Sequence, residues 1–176
     1  MTTYKTAKKL GITDAEHAGL IELANHLKGE VCVLPEQAIR GVGSDSSGRA
    51  DVETILGFSM SIGAGVPIED DVKYDCGCVA CIGGHLSLRM QGIDITSQKF
   101  SISALKIADQ YVDSFRGKED HPLHDLFYPT EFIDFERWDL ITPAIAAEAI
   151  NNFLTTGSPD WSGLAEMHDI NDDEED

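Results

Sequence analysis

The spacing of apolar residues along the chain predicts a set of short amphipathic helices. Leu20, Leu23, Ala24 and Leu27 recur at three and four, the period that puts them on one helical face. Upstream, Thr13 and Glu16 have the spacing of a capping box, in which hydroxyl and carboxylate each satisfy a backbone N–H that the first turn leaves orphaned. A helix is therefore predicted over residues 13–28, with Gly29 placed for its C-terminal cap. Leu105, Ala108, Tyr111, Val112 and Phe115 give the clearest amphipathic pattern, over residues 101–116, ended by Gly117. Asp120 and Pro122 fit the start of a short helix that Pro129 stops. Thr142-Pro143 begins another, with Ile145, Ala149, Ile150, Phe153 and Leu154 inward and Gly157 after it.

The middle of the chain is harder to assign. Val31 to Leu34 is a short apolar run, a strand or a buried connector, and residues 36–40 are expected to add a helical turn after Pro35. Gly41 to Gly48 is a small-residue loop. Residues 51–62 fit both periods, and a helix from Asp51 is preferred. Residues 63–75 are expected to be loop, and Val79 to Met90 helical, with Val79, Ile82 and Leu86 inward and Gly92 closing it. The Gly83-Gly84 pair costs that helix about 1 kcal/mol per glycine relative to alanine, which points to another backbone passing close by. The expectation is a mainly α fold: one domain over residues 1–165 with about six helices and room for one short β-hairpin, α+β being the alternative. An acidic, solvated tail is expected over residues 166–176.

Composition narrows the function classes. The chain has 176 residues, 42% of them hydrophobic, enough to bury a core without disulfide or metal staples. No apolar run approaches the ~20 residues of a membrane span. The basic opening, Met1 to Lys9, leads into a polar helix and not an apolar signal region, so a cytoplasmic location is expected. Thirty-one acids against 13 bases give a net charge of −18, and no Lys or Arg follows Arg137. Binding a polyanion needs cations to displace counterions, so direct nucleic-acid binding is disfavoured and a basic protein partner is favoured. The candidate interaction residues are the two densest acidic runs, Glu69, Asp70 and Asp71, and Asp172, Asp173, Glu174, Glu175 and Asp176. Mimicry of DNA is one form of this reading, and requires carboxylates on one face at phosphate-like spacing.

The densest candidate for chemistry is Cys76-Gly-Cys78-Val-Ala-Cys81-Ile-Gly-Gly-His85. Three thiolates and an imidazole form a donor set for tetrahedral zinc, and Cys81 and His85 lie one helical turn apart. Four ligands within ten residues are crowded, although Cys32 is available to replace one. The plainer reading is that these cysteines pack as small buried hydrophobes. A thiolate at a helix start would be activated by the dipole, but no His–Asp arrangement is visible to complete a nucleophile. No catalytic residue is assigned; the alternative is a small metal- or thiol-dependent enzyme. Asp120, His121, His124 and Asp125 could hold a divalent metal, yet their spacing is not that of a zinc-protease helix, and a helix cap with surface imidazoles is the ordinary reading. Gly43 to Ala50 imitates a phosphate loop only superficially, and Glu69 to Asp75 lacks calcium-loop spacing.

The segment Cys76-Gly-Cys-Val-Ala-Cys81-Ile-Gly-Gly resembles the C-G-T-V-A-C-I-A-G signature of small uncharacterised proteins of bacteriophages, prophages and some bacteria. Phe58-Ser-Met60 resembles that family's F-x-M element, Leu126-Phe-Tyr-Pro129 its L-F-x-P, and Thr142 through Trp161 its closing helix. The resemblance covers roughly residues 58–161, and only the cysteine segment is specific. It implies a phage-type accessory or inhibitor protein acting in the host cytoplasm, and assigns no activity. Cys78 stands where the pattern has Thr, and His85 where a bulky apolar residue is common. The recurring pair is then Cys76 and Cys81, too few for a closed zinc site. A virion or assembly component is a further alternative.

Overall fold

The capping box forms as its spacing demands. Thr13 N–H donates to Glu16 Oε2 at 2.7 Å and Glu16 N–H donates to Thr13 Oγ1 at 3.2 Å, starting α2 (Asp14–Leu27). The computed structural model describes residues 3–29, 31, 39–41, 51–53, 55–67, 76–93 and 99–171. Before α2 lies a single turn, α1 (Ala7–Leu10). After it come the strands β1 (Ile39–Gly41), β2 (Asp51–Glu53), β3 (Ile55–Phe58), β4 (Ala64–Pro67) and β5 (Cys76–Ala80). Then follow α3 (Ile82–Met90), β6 (Lys99–Ser101), α4 (Ile102–Asp113), α5 (His124–Phe127), a 3-10 helix (Phe135–Leu140), α6 (Pro143–Thr156) and α7 (Trp161–Met167). The fold is mainly α.

The main core is helix on helix. α2 packs against α6 and α3, and α3 against α4. Leu20, Leu23 and Leu27 of α2, Ile82 and Leu86 of α3, and Ile150, Phe153 and Leu154 of α6 are all buried in one cluster with Phe127 and Trp161. Each such side chain contributes about 1.5–3 kcal/mol when fully withdrawn from water. Glu16 is buried too; besides capping α2, its Oε1 accepts from the Tyr111 hydroxyl at 2.8 Å, tying α2 to α4.

The helix boundaries follow their punctuation. Thr142 caps α6 through Ile145 N–H, Pro143 fills its first turn, and Gly157 ends it at φ +93°. Gly117 and Gly92 take the same left-handed conformation after α4 and α3. Gly29 does not: Lys28 is the C-cap of α2, in right-handed geometry, and Gly29 N–H closes a tight turn to His26.

Strands exceed the single hairpin expected. β1, β4, β5 and β3 form a four-stranded sheet in that order, with β3 parallel to β5 and β4 antiparallel to β5 and β1. β2 and β6 pair separately, with Val52 opposite Phe100. Four expectations are corrected here. The preferred helix from Asp51 is two strands: Val52, Thr54, Leu56 and Phe58 alternate at two, and β-branched Val52, Thr54 and Ile55 favour the extended chain. The expected turn of helix over 36–40 is, over Ile39–Gly41, a strand. The loop expected over 63–75 contains β4, and the helix expected from Val79 begins only at Ile82, because β3 and β4 flank Cys76–Ala80 and pair with its backbone. Residues 32–38, 42–50 and 68–75 lie outside the described set and with them the loops expected there.

Gly83-Gly84 explains how α3 is seated. A Cβ on Gly84 would fall 1.9 Å from the Gly63 carbonyl oxygen and 2.9 Å from Ala80 Cβ; one on Gly83 would fall 2.8 Å from Val112 Cγ2 of α4. The close backbone predicted from the pair is the turn between β3 and β4. A second, smaller cluster of Ala64, Ala80, Leu88, Ala104, Leu105 and Ala108 then joins the sheet to α3 and α4.

The tail expected from residue 166 stays on the body through Asn171. Ile170 is buried, Arg137 Nη1 donates to its carbonyl at 2.8 Å, and Asn171 Nδ2 donates to the Phe132 carbonyl at 3.0 Å. Among the described residues no helix is long and apolar enough to cross a membrane.

Gly84→Ala is expected to lower stability by about 3 kcal/mol, the upper end of ordinary overpacking, because the obstructing atom is backbone. Urea unfolding followed by circular dichroism measures it; an unchanged midpoint would contradict this seating of α3.

Candidate functional site

The cysteine and histidine residues nominated as zinc ligands divide between separate surroundings. Cys76 and Cys78 lie on β5, their backbones opposite Ile55 and Leu56 of β3. Cys81 is the N-cap residue of α3 without a side-chain cap bond; its thiol is directed to the Gly63 carbonyl at 3.8 Å. His85, one turn on, is fully buried, and its Nε2–H donates to the Gly57 carbonyl at 3.0 Å. Among the described residues no three His, Cys, Asp or Glu side chains converge as a metal site. Cys32 and the acidic residues Glu69, Asp70, Asp71, Asp172, Asp173, Glu174, Glu175 and Asp176 lie outside the described set.

Electrostatics set the state of both buried groups. Burial pushes the Cys81 thiol up to about 11, outweighing the N–H groups of Gly84 and Gly83 that would lower it. The activation expected from a helix start is overridden, and Cys81 is a thiol at neutral pH. Burial likewise pulls His85 down to about 3, helped by His26 and Arg89. The bond to Gly57 fixes the neutral tautomer with its proton on Nε2, leaving Nδ1 as a buried acceptor without a partner among the described residues. His26, 6.0 Å away between ring centroids, is also lowered, first by burial and then by Arg89, and its Nε2 has no partner among the described residues.

The Asp120–Asp125 candidate resolves into local contacts. His121 Nδ1 accepts from Leu123 N–H at 3.2 Å, and its ring meets Phe115 edge to face at 4.6 Å. His124 Nδ1 lies 3.1 Å from Asp125 Oδ1, and its ring stacks on Tyr128.

A site that the sequence did not disclose opens beside Cys81. A cleft of about 680 Å³ is lined by Met60, Gly63 and Cys81, by Asp109, Asp113 and Arg116 of α4 and its C-terminal turn, and by Tyr128, Phe135 and Trp138. Its size is within the range of small-molecule pockets. Among its lining residues are four carboxylates, Asp109, Asp113, Glu119 and Glu131, and one guanidinium, Arg116, whose Nη2 lies 3.2 Å from Asp113 Oδ1. Burial, then the Asp113 charge, raises the Asp109 carboxyl above the ordinary aspartate value, opposed by an N–H from Ala64 and by Arg116. Gly63 permits the approach: a Cβ there would meet Asp109 Oδ1 at 2.6 Å. Phe135 is 52% exposed and packs its ring 4.9 Å from that of Trp138, giving the cleft an aromatic wall. No local motif signals this site, since its residues come from four segments that only the fold brings together.

The neutral burial of His85 gives a pH dependence of definite sign. Below 6.5 the unfolded chain takes up a proton at this position, while the folded chain does not until about 3, so stability falls as pH drops through that window. The slope from this group approaches about 1.4 kcal/mol per pH unit. His85→Asn is expected to be less stable at neutral pH and to lose less on acidification; parallel curves for the two proteins would show that His85 does not titrate in this way. Cys81 is expected to resist iodoacetamide in the native state and react on unfolding, read by peptide mass mapping. Comparison of the chain with protein-family models, curated proteins and solved structures finds no match in any of the three.

Proposed function

We propose that this chain is a non-enzymatic, acidic interaction protein that binds a basic protein surface, acting in the cytoplasm as a phage-type accessory or inhibitor protein. The observation that carries the reading is the net charge of −18 with its last 39 residues free of Lys and Arg. A field of that sign accelerates encounter with a cationic partner and repels nucleic acid. Two features of the fold support it. Exposed Asp113, Glu119, Asp120, Glu131, Asp134, Glu136 and Asp139 gather in the segment that contributes much of the cleft. The thiol and imidazole best placed for catalysis are buried, one protonated and one neutral at physiological pH. The resemblance of the cysteine segment to small phage and prophage proteins agrees with this role.

The test is affinity capture from bacterial lysate on the immobilised chain at low and at high salt, with mass spectrometry of the bound fraction. Basic proteins should be enriched at low salt and released as salt screens the contact. A bound fraction that is neutral or acidic and indifferent to salt would remove the proposal. Where the captured protein binds DNA, competition with duplex DNA tests mimicry, and a large defined oligomer on size exclusion would favour the assembly role instead.

A further inference from the structure

We propose that the cleft beside Cys81 receives an arginine side chain presented by the protein partner. This rests on the acidic-interaction reading and narrows it to one pocket.

Three observations converge on a guanidinium. The first is charge: four carboxylates and one guanidinium line the cleft, and Arg116 is already engaged by Asp113. Asp109 and Asp113 repel one another across one turn of α4, and a second cation between them relieves that repulsion. The second is the aromatic wall. Phe135 leaves half its surface in water next to Trp138 and within the cleft, where a planar cation can stack on it. The third is hydrogen bonding. The hydroxyl-bearing side chains of Tyr128 and Thr130 join the carboxylates in the lining of the same cleft. A guanidinium carries five donors and no acceptor, matching carboxylate and hydroxyl oxygens around a ring face.

Arg116 demonstrates the chemistry within the chain itself: its guanidinium lies 3.2 Å from the Asp113 carboxylate. A bare metal ion would not use the aromatic wall. A lysine ammonium would satisfy the charge, but neither stacks flat nor pairs with a carboxylate through two parallel bonds.

The test titrates the full chain with the blocked peptide Gly-Gly-Arg-Gly-Gly, its lysine and citrulline counterparts, and free arginine, following backbone amides by NMR. The arginine peptide is expected to shift Gly63, Asp109 and Phe135 and to bind at least about tenfold more tightly than the citrulline peptide. Asp109→Asn and Phe135→Ala are each expected to weaken it by about tenfold with unchanged melting temperature. Equal binding of the lysine or citrulline peptide, shifts confined to another face, or undiminished affinity in both variants would overturn the inference. Free arginine binding as tightly as the peptide would overturn the assignment of a protein occupant. Capture of basic proteins by wild type and Phe135→Ala alike would remove the cleft while leaving the acidic-surface reading intact. Peptide binding without any capture would do the reverse.

Discussion

The approach of the α3 backbone to the turn between β3 and β4 governs the rest of the structure. Gly84 lets the Gly63 carbonyl sit where any side chain would be, and Gly83 does the same for Val112 and Phe127 on another side. From that seat the sheet meets α3 and α4 through a small cluster in which Ala64, Ala80, Ala104 and Ala108 pack with Leu88 and Leu105. The arrangement costs helix propensity twice over. What it secures is position: Gly63, Cys81 and Asp109 are brought to one edge of the cleft by the contact that two glycines permit.

Burial decides the chemistry of the titratable groups more than their neighbours in sequence do. The start of α3 offers Cys81 the backbone N–H groups that activate thiols elsewhere, yet desolvation wins and the proton stays. His85 is held neutral by the same cause while standing among His26 and Arg89, which add to the effect. A histidine facing an aromatic ring, with one nitrogen on a backbone carbonyl, is here part of the core. Asp113, Glu119 and Asp120, by contrast, stand where water reaches them.

The sequence disclosed the elements whose signals are local. Thr13 with Glu16, Thr142 with Pro143 and the closing Gly157 each act within a single turn, and the helices they bound are found where expected. Residues 51–58 were not decidable, because Val52, Ile55 and Leu56 satisfy a helix while Val52, Leu56 and Phe58 satisfy a strand; only pairing with β5 and β6 selects between them. Val79 and Ala80 were assigned to a helix for the same reason, the strand character of Cys76–Ala80 depending on two partners distant in sequence. The mainly α class was legible and the small sheets were not. The cleft was invisible, since Met60, Cys81, Asp109 and Phe135 share no motif, and Glu16 was foreseen as a cap but not as the acceptor for Tyr111.

One consequence follows from the bond between Arg137 and the Ile170 carbonyl. Because no lysine or arginine comes after Arg137, the last point at which trypsin can cut lies just before α6, α7 and the base-free end of the chain. That side chain is half-buried, its guanidinium spent on the carbonyl it helps to hold in place. Cleavage after Arg137 therefore waits on the local lifting of the same short stretch that carries Phe135 and Trp138. The protein thus contains a protease-readable gauge of how firmly the aromatic side of its cleft is closed onto the body.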